Sequence, residues 1–376
     1  MLARTIVATC SFAATVVAQT TAQHFLGFNS GNMLPNQTAK VKADWLQEFE
    51  TAKVLQGAPG NFTAVRLYTN IQGYTEDDPI QAFEAAIETG TNILLGVWAS
   101  HTDNIEKEMF ALEKALDLYG QDLVDLIIGV SIGSEDMYRV SEVGIANDPN
   151  GVGNPAEVIV GFIDDFRTKF NGTAIADVPV GHVDTFDAWY NSSNSAVLEA
   201  VDWIGMNVFP YFFTDRNNTI ENGPEFFDQS YEVVKSVAGD TPIWITETGW
   251  PSSGPDWDLA ETGIENAKYY WDEVGCRRLF ANTTTFWYIL RDSNPANSMQ
   301  FTITDNLEAP LFNLTCPTTF ETDQEGNWIP PDFTLGVSQP SATGGTADED
   351  SAGSSSEALP VTQATVAAIV ASLALL

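Results

Sequence analysis

The sequence predicts a (β/α)8 barrel, and three observations predict it. Short runs rich in β-branched and aromatic residues alternate with longer amphipathic stretches from His24 to about Tyr288, the mark of repeated βα units. Several of the short runs are apolar almost throughout, as in Leu126-Ile127-Ile128-Gly129-Val130 and Ile243-Trp244-Ile245, which suits strands covered on both faces. Two of them run into a glutamate, Glu135 and Glu247, and a parallel barrel gathers its reacting groups at the C-terminal ends of its strands. A doubly wound open sheet is the competing arrangement.

In chain order the expected strands are 25–28, 64–68, 92–98, 126–132, 178–183, 203–208, 242–246 and 285–288. Between them lie helical patterns at 41–55, 79–88, 104–119, 155–170, 195–200, 225–237 and 259–274. Pro79 and Pro155 fall where helices begin, a place that tolerates proline because the first helical N–H has no partner to lose. No repeat of solenoid or propeller period interrupts the pattern. The folded part is therefore expected to be one domain, 19–320.

The ends of the chain carry different messages. Met1 to Arg4 leads into an apolar stretch from Ile6 to Ala18 that closes on Val16-Val17-Ala18, the pattern of a secretory signal cleaved after Ala18. Residues 321–355 turn to Ser, Thr, Gly and acids, a composition that cannot bury enough apolar surface to fold and reads as a stalk. The segment 356–376 ends in an uncharged apolar tail too short to span a bilayer as a regular helix. With the small residues around it, it fits a glycosylphosphatidylinositol attachment signal, with Gly353 or Ser351 as the modified residue. The expected location is outside the cell, on the outer leaflet of the plasma membrane and in the cell wall, with the lipid as the sole membrane contact.

Export bears on cysteine and asparagine. Of the three cysteines, Cys10 departs with the signal, leaving Cys276 and Cys316 in an oxidising compartment to form one disulfide. Asn36, Asn61, Asn171, Asn191, Asn217, Asn282 and Asn313 each open an N-x-Ser/Thr sequon, so these side chains are expected at the surface. Asp and Glu number 51 against 16 Lys and Arg, a formal charge of −35, which repels nucleic acid and other polyanions. A neutral polymer suffers no such penalty.

Several chemistries are excluded. Gly151-Val152-Gly153-Asn154-Pro155-Ala156 matches a dinucleotide fingerprint literally, but no strand precedes it. The histidines His24, His101 and His182 lack ligand spacing with the cysteines, and no acidic run matches a calcium loop, so neither metal nor cofactor is expected. No G-x-S-x-G elbow is present for a serine triad. What remains is the pair of glutamates, which suits glycosidic bond cleavage: one carboxyl protonates the leaving oxygen while the other attacks or activates water.

Four motifs carry a resemblance: Ala64-Val65-Arg66-Leu67-Tyr68, Gly129 to Arg139 around Ser134-Glu135-Asp136, Asp202 to Phe212 around Gly205-Met206-Asn207, and Glu247-Thr248-Gly249-Trp250-Pro251. In these the chain, from about Phe25 to Cys316, resembles glycoside hydrolase family 17, the β-1,3-glucanases, in its fungal, lipid-anchored cell-wall branch. The resemblance implies that Glu135 is the proton donor and Glu247 the nucleophile of a retaining mechanism on β-1,3-glucan. The common pattern has an asparagine before the acid, binding the sugar 2-hydroxyl. Here Ser134 stands there, shorter and with a single donor.

Two carboxyls about 5–5.5 Å apart cannot both ionise cheaply, so Glu247 is expected charged and Glu135 protonated. The resulting glycosyl-enzyme is resolved by water or by a second sugar, giving hydrolysis or transglycosylation. Tyr68, Trp98, Tyr211, Phe212, Trp250 and Trp287 lie at or just past strand ends, where rings stack on pyranose C–H faces; each is equally placed to be a core aromatic. Arg66 and Asn207 are candidates for orienting a carboxylate, with Asp184 and Asp292 behind them, while Asp136 should face away from Glu135. The contrasting reading is a non-catalytic glucan-binding or structural wall glycoprotein, and in either case the chain is expected to act as a monomer.

Overall fold

The computed structural model describes residues 24–292 and 298–322. Eight parallel strands close a barrel in chain order: β1 (Leu26–Asn29), β2 (Phe62–Arg66), β3 (Asn92–Val97), β4 (Ile127–Ser134), β5 (Val180–Thr185), β6 (Trp203–Asn207), β7 (Ile243–Glu247) and β8 (Thr285–Trp287). Closure is made by β8 on β1, with Leu26 opposite Thr285 and Phe28 opposite Trp287. The open-sheet alternative is thereby removed.

Around the barrel run α1 (Lys42–Lys53), α2 (Ala82–Thr89), α3 (Glu106–Tyr119), α4 (Gln121–Val124), α5 (Asp136–Arg139), α6 (Glu142–Asn147), α7 (Ala156–Phe170), α8 (Phe186–Tyr190), α9 (Ser195–Ala200), α10 (Gly223–Ala238) and α11 (Ile264–Tyr270). The seven expected helices are all there, but two start later than the pattern suggested. Pro79 bridges back to Ile71, so α2 begins at Ala82. Likewise α11 begins at Ile264 and continues as π-helical turns over Trp271–Leu279. The short α4, α5, α6 and α8 were not expected, since four to six residues are too few to show a 3.6-residue period.

Two apolar layers hold this frame, and strand alternation sorts residues between them. The barrel interior is filled by Ala64, Leu94, Val183, Trp203 and Phe286, with Trp244 packed against them. Trp203 and Trp244 stack at 4.3 Å, and a Cβ on Gly181 would come within 2.3 Å of the Trp203 ring, so only glycine lets the indole lie across β5. The second layer, between strands and helices, includes Trp45, Phe83, Leu112, Ile159, Phe227 and Trp271. With indoles plugging the floor, the polar residues of the interior collect at the C-terminal strand ends, where Asn29 sits in register with Arg66 and Asn207 with Glu247.

Cys276 and Cys316 are joined as a disulfide, and the Trp271 indole N–H donates to the Leu314 carbonyl at 3.1 Å, so the chain beyond the barrel is tied down against the last helix. All seven sequon asparagines are exposed. Among the described residues no helix is long and apolar enough to cross a membrane, and no cluster of His, Cys, Asp and Glu has the form of a metal site. The signal at 1–18, the stalk beyond Thr322, Gly353, Ser351 and the 356–376 segment lie outside the described residues.

Candidate active site

Glu247 ends β7 and is almost wholly buried. Its Oε1 accepts from the Arg66 guanidinium at 2.5 Å and from the Tyr68 hydroxyl at 2.9 Å. Both donors come from one face of β2 and its extension, two residues apart as a strand requires. Arg66 is positioned in turn: Nη1 also donates to Asn29 Oδ1 at 2.8 Å and Nη2 to Ser134 Oγ at 2.9 Å. Asn29 completes the set by donating through Nδ2 to the carbonyls of Thr246 and Phe286, each at 2.9 Å. A buried ion pair held by three further hydrogen-bonding groups is the geometry in which such a pair repays its desolvation. Burial first, then the Glu247 charge, pushes the Tyr68 hydroxyl well above its ordinary value, so Tyr68 remains a donor.

Glu135 is buried beside it in a different environment. Asn207 Nδ2 donates to its Oε1 at 2.9 Å, and Thr246 Oγ1 fixes the asparagine through Oδ1 at 2.8 Å. Oε2 has no hydrogen-bond partner among the described residues, and Arg139 Nη2 stands 3.9 Å away. Burial is the largest influence on this carboxyl, opposed by Arg139 and reinforced by Glu247 and Asp184, and it is pushed up to about 8. The two glutamates therefore differ in kind: one is an ion-paired carboxylate, the other a proton-holding acid with an open oxygen.

The turn carrying Glu135 is built for this. Gly133 has φ +81° and Glu135 φ +59°, a left-handed pair that a glycine and a locally braced residue can adopt. Asp136 braces it by accepting from the Ser134 N–H at 2.9 Å and from Ser100 Oγ at 2.6 Å. It faces away from the site, as the alternation of neighbouring residues implied. Gly153, from the discarded dinucleotide fingerprint, passes against this turn: a Cβ there would lie 2.3 Å from the Asp136 carbonyl.

Of the residues expected at the site, Arg66, Tyr68, Ser134, Asn207, Glu135 and Glu247 come together. The aromatics mostly do not. Trp287 packs outward between Trp271, Tyr270 and Phe280, and Trp250 lies between Tyr211 and Tyr270 with its N–H on the Glu261 carbonyl. Tyr211 is covered by Trp250, Phe212 and Phe301 and donates to the Pro255 carbonyl; Phe212 is buried beside it. These rings are core, with no face left for a sugar, which corrects the stacking expected of them. Trp98 is half-buried with its N–H on Ser100 O. Asp184 supports the acid's turn from β5, and Asp292, pushed up to about 6 chiefly by burial, accepts from the Phe301 and Thr302 N–H groups.

Two residues were missed. Tyr288 follows Trp287, shares the inward parity of Phe286 and is buried against Phe209 and Phe301; burial first, then the charges of Asp292, Glu247 and Glu135, raises its hydroxyl well above the ordinary value. Period-two alternation from Phe286 would have found it. Asn29 gave less signal, because an asparagine closing a short strand reads as a turn former.

A closed parallel barrel with two buried, unlike carboxyl groups at its strand ends is the frame of a glycoside hydrolase. The chain belongs to the family of the BtgE/BtgC glycoside hydrolase domain, whose sequence profile matches residues 27–303. It is 47% identical over 295 residues to the probable glucan endo-1,3-beta-glucosidase eglC of Aspergillus niger, covering 78% of this chain and 63% of that protein. It is 28% identical over 303 residues to the glucan 1,3-beta-glucosidase of Saccharomyces cerevisiae, covering 76% of this chain and 90% of the other. The chain thus spans about three fifths of the length of the Aspergillus niger and Aspergillus terreus relatives it matches. Among solved structures, the glycoside hydrolase family 17 beta-1,3-glucanosyltransferase of Rhizomucor miehei shares the fold, with TM-score 0.61, 22% identity and coverage of 76% of this chain and 95% of that one.

Proposed function

We propose that this protein is a retaining endo-β-1,3-glucanase that also transfers glucan to a second sugar, with Glu135 as proton donor and Glu247 as nucleophile. The observation that carries the reading is the unlike state of the two glutamates: Glu247 paired with Arg66 and Tyr68, Glu135 proton-holding with Oε2 open. In the first step Glu247 attacks the anomeric carbon while Glu135 gives its proton to the departing oxygen. In the second, Glu135 takes a proton from water or a sugar hydroxyl, which displaces Glu247. The names of the Aspergillus and Saccharomyces relatives support the β-1,3-glucan substrate. The Rhizomucor glucanosyltransferase, whose active-site mutant was solved with laminaritriose, supports the same polymer and the transfer step by analogy of fold.

The wider setting belongs to the same proposal: export by the 1–18 signal, glycosylation at the seven exposed sequons, a monomer on a lipid anchor added at Gly353 or Ser351, and residence at the outer leaflet and in the wall. Its support is the sequence of the chain ends and the exposure of the asparagines. The deciding measurement is reducing-sugar release from laminarin by the secreted protein, with product sizing. Shortened oligosaccharides are expected, accompanied by longer ones at high substrate concentration; binding without any change of chain length at acidic and neutral pH would overturn the enzymatic reading.

A further inference from the structure

His182 lies in the middle of β5, wholly buried, and takes no part in the steps above. Its Nδ1 is 2.5 Å from the Ile132 carbonyl oxygen and its Nε2 is 2.9 Å from Asp184 Oδ2. A carbonyl oxygen only accepts, so Nδ1 must carry a hydrogen. Asp184 is itself an acceptor twice over: Oδ1 takes the Thr185 N–H at 2.8 Å and Oδ2 the Met137 N–H at 3.0 Å. With a backbone N–H already on each of its oxygens, Asp184 is set as an acceptor for Nε2 as well. With a hydrogen on both nitrogens, the ring is charged.

The position of this ring gives the charge a purpose. Asp184 fixes Met137, at the start of the helix behind Glu135, while Asp136 fixes Ser134 on its other side. The Gly133 backbone is wedged between the Asp136 carboxylate and the His182 ring, since a Cβ there would meet both, at 2.4 and 3.2 Å. Arg139 donates to the Ser134 carbonyl at 2.7 Å. The titratable and charged groups under the turn are thus Asp184 and Asp136, the latter pushed up chiefly by burial, against His182 and Arg139. Asp187 on α8 faces Asp184 and is pushed up to about 6 chiefly by burial; Glu247 bears on Glu135 from β7.

We propose that His182 is a positioning residue in its doubly protonated form, a buried imidazolium that locks Asp184 beneath the turn carrying Glu135 and balances the negative charge next to the acid. The proposal deepens the glycosidase reading of Glu135 and rests on it for its catalytic consequence. Burial alone opposes a charged imidazole, yet the neighbouring acids and the Ile132 carbonyl raise its affinity for the proton. Without the imidazolium, Asp184 would face Glu135 uncompensated, and the acid would hold its proton to higher pH.

Two measurements test this. The chain has three histidines, so nitrogen-15 labelling of histidine in the full protein resolves each ring. Both nitrogens of His182 are expected at the imidazolium shift at pH 7, when exposed histidines have largely titrated; one nitrogen at the unprotonated shift at pH 7 overturns the charge assignment, whatever the enzyme does. In H182Q the alkaline limb of kcat/KM on laminarin is expected to move up by on the order of one pH unit. A limb at the wild-type position, or lower, overturns the balancing role, and should H182Q fail to fold the labelling result still decides. A wild-type protein without activity on glucan would instead refute the function and leave the nitrogen-15 result standing.

Discussion

At Glu135 the burial that keeps a proton on the acid also sets the range in which it works. With its carboxyl pushed up to about 8, kcat/KM on a β-1,3-oligosaccharide should hold through neutral pH and fall as pH rises through about 8, because proton donation is lost there. Stability follows the same sign. A carboxyl with a folded-state value above the unfolded one, about 4.3, contributes stability that is fully present below the unfolded value and lost as pH rises through the folded one. The Tm of the wild type relative to E135Q should therefore decline between acid and alkaline pH, as scanning calorimetry can check. Both E135Q and E247Q should lower turnover by roughly three orders of magnitude with an unchanged circular dichroism spectrum. Near wild-type turnover in either would remove that residue from its role, and an α-anomer appearing first in proton NMR would contradict the nucleophile assigned to Glu247.

At the scale of the element, a strand can do two jobs, filling the floor with one residue and furnishing the site two or four residues later, as Ala64, Arg66 and Tyr68 do from β2 and Trp203 and Asn207 from β6. Gly181 shows how narrow the tolerance is. A Cβ there would lie 2.3 Å from the Trp203 ring and 2.6 Å from its carbonyl oxygen, so G181A should destabilise by about 3 kcal/mol in urea unfolding; a change within a few tenths would mean that the indole pair is freely displaceable. The same two jobs explain what could be read from the chain alone. All eight strands were legible because buried parallel strands are dense in β-branched and aromatic residues, and Glu135 and Glu247 were legible because a charge ending such a run is costly without a purpose. The aromatics were misassigned for a related reason. Trp287 looked like a platform by residue type, but the face a strand residue takes is set by parity with its neighbours, and parity from Phe286 selects Tyr288. The brace of α3 was illegible: Glu108 accepts from Thr69 Oγ1 and the Asn70 N–H, just past Tyr68, and is pushed up to about 7 chiefly by burial. In the sequence it is one acid among many on a helix.

For the whole molecule, Cys276 and Cys316 close a loop 40 residues long, which by chain entropy stabilises the fold by about 4 kcal/mol. Replacing both with serine should lower Tm by several degrees while leaving kcat/KM at moderate temperature unchanged, since the bond lies outside the carboxyl pair; lost activity in a folded variant would show that the tail helps shape the cleft. Truncation after Thr346 should yield a freely secreted protein with unchanged activity on laminarin if the proposed lipid anchor exists and is only a tether. The Asn29 amide, finally, reaches from the first strand to carbonyls of the seventh and eighth, and Arg66 reaches a glutamate 181 residues away. Because these bonds join strands far apart in the chain, the carboxyl pair is fully braced only when the first, second, seventh and eighth strands have been brought together. Catalytic power regained after dilution from denaturant should lag the return of helical signal and keep time with closure of the ring, making activity itself the clock for the final folding event.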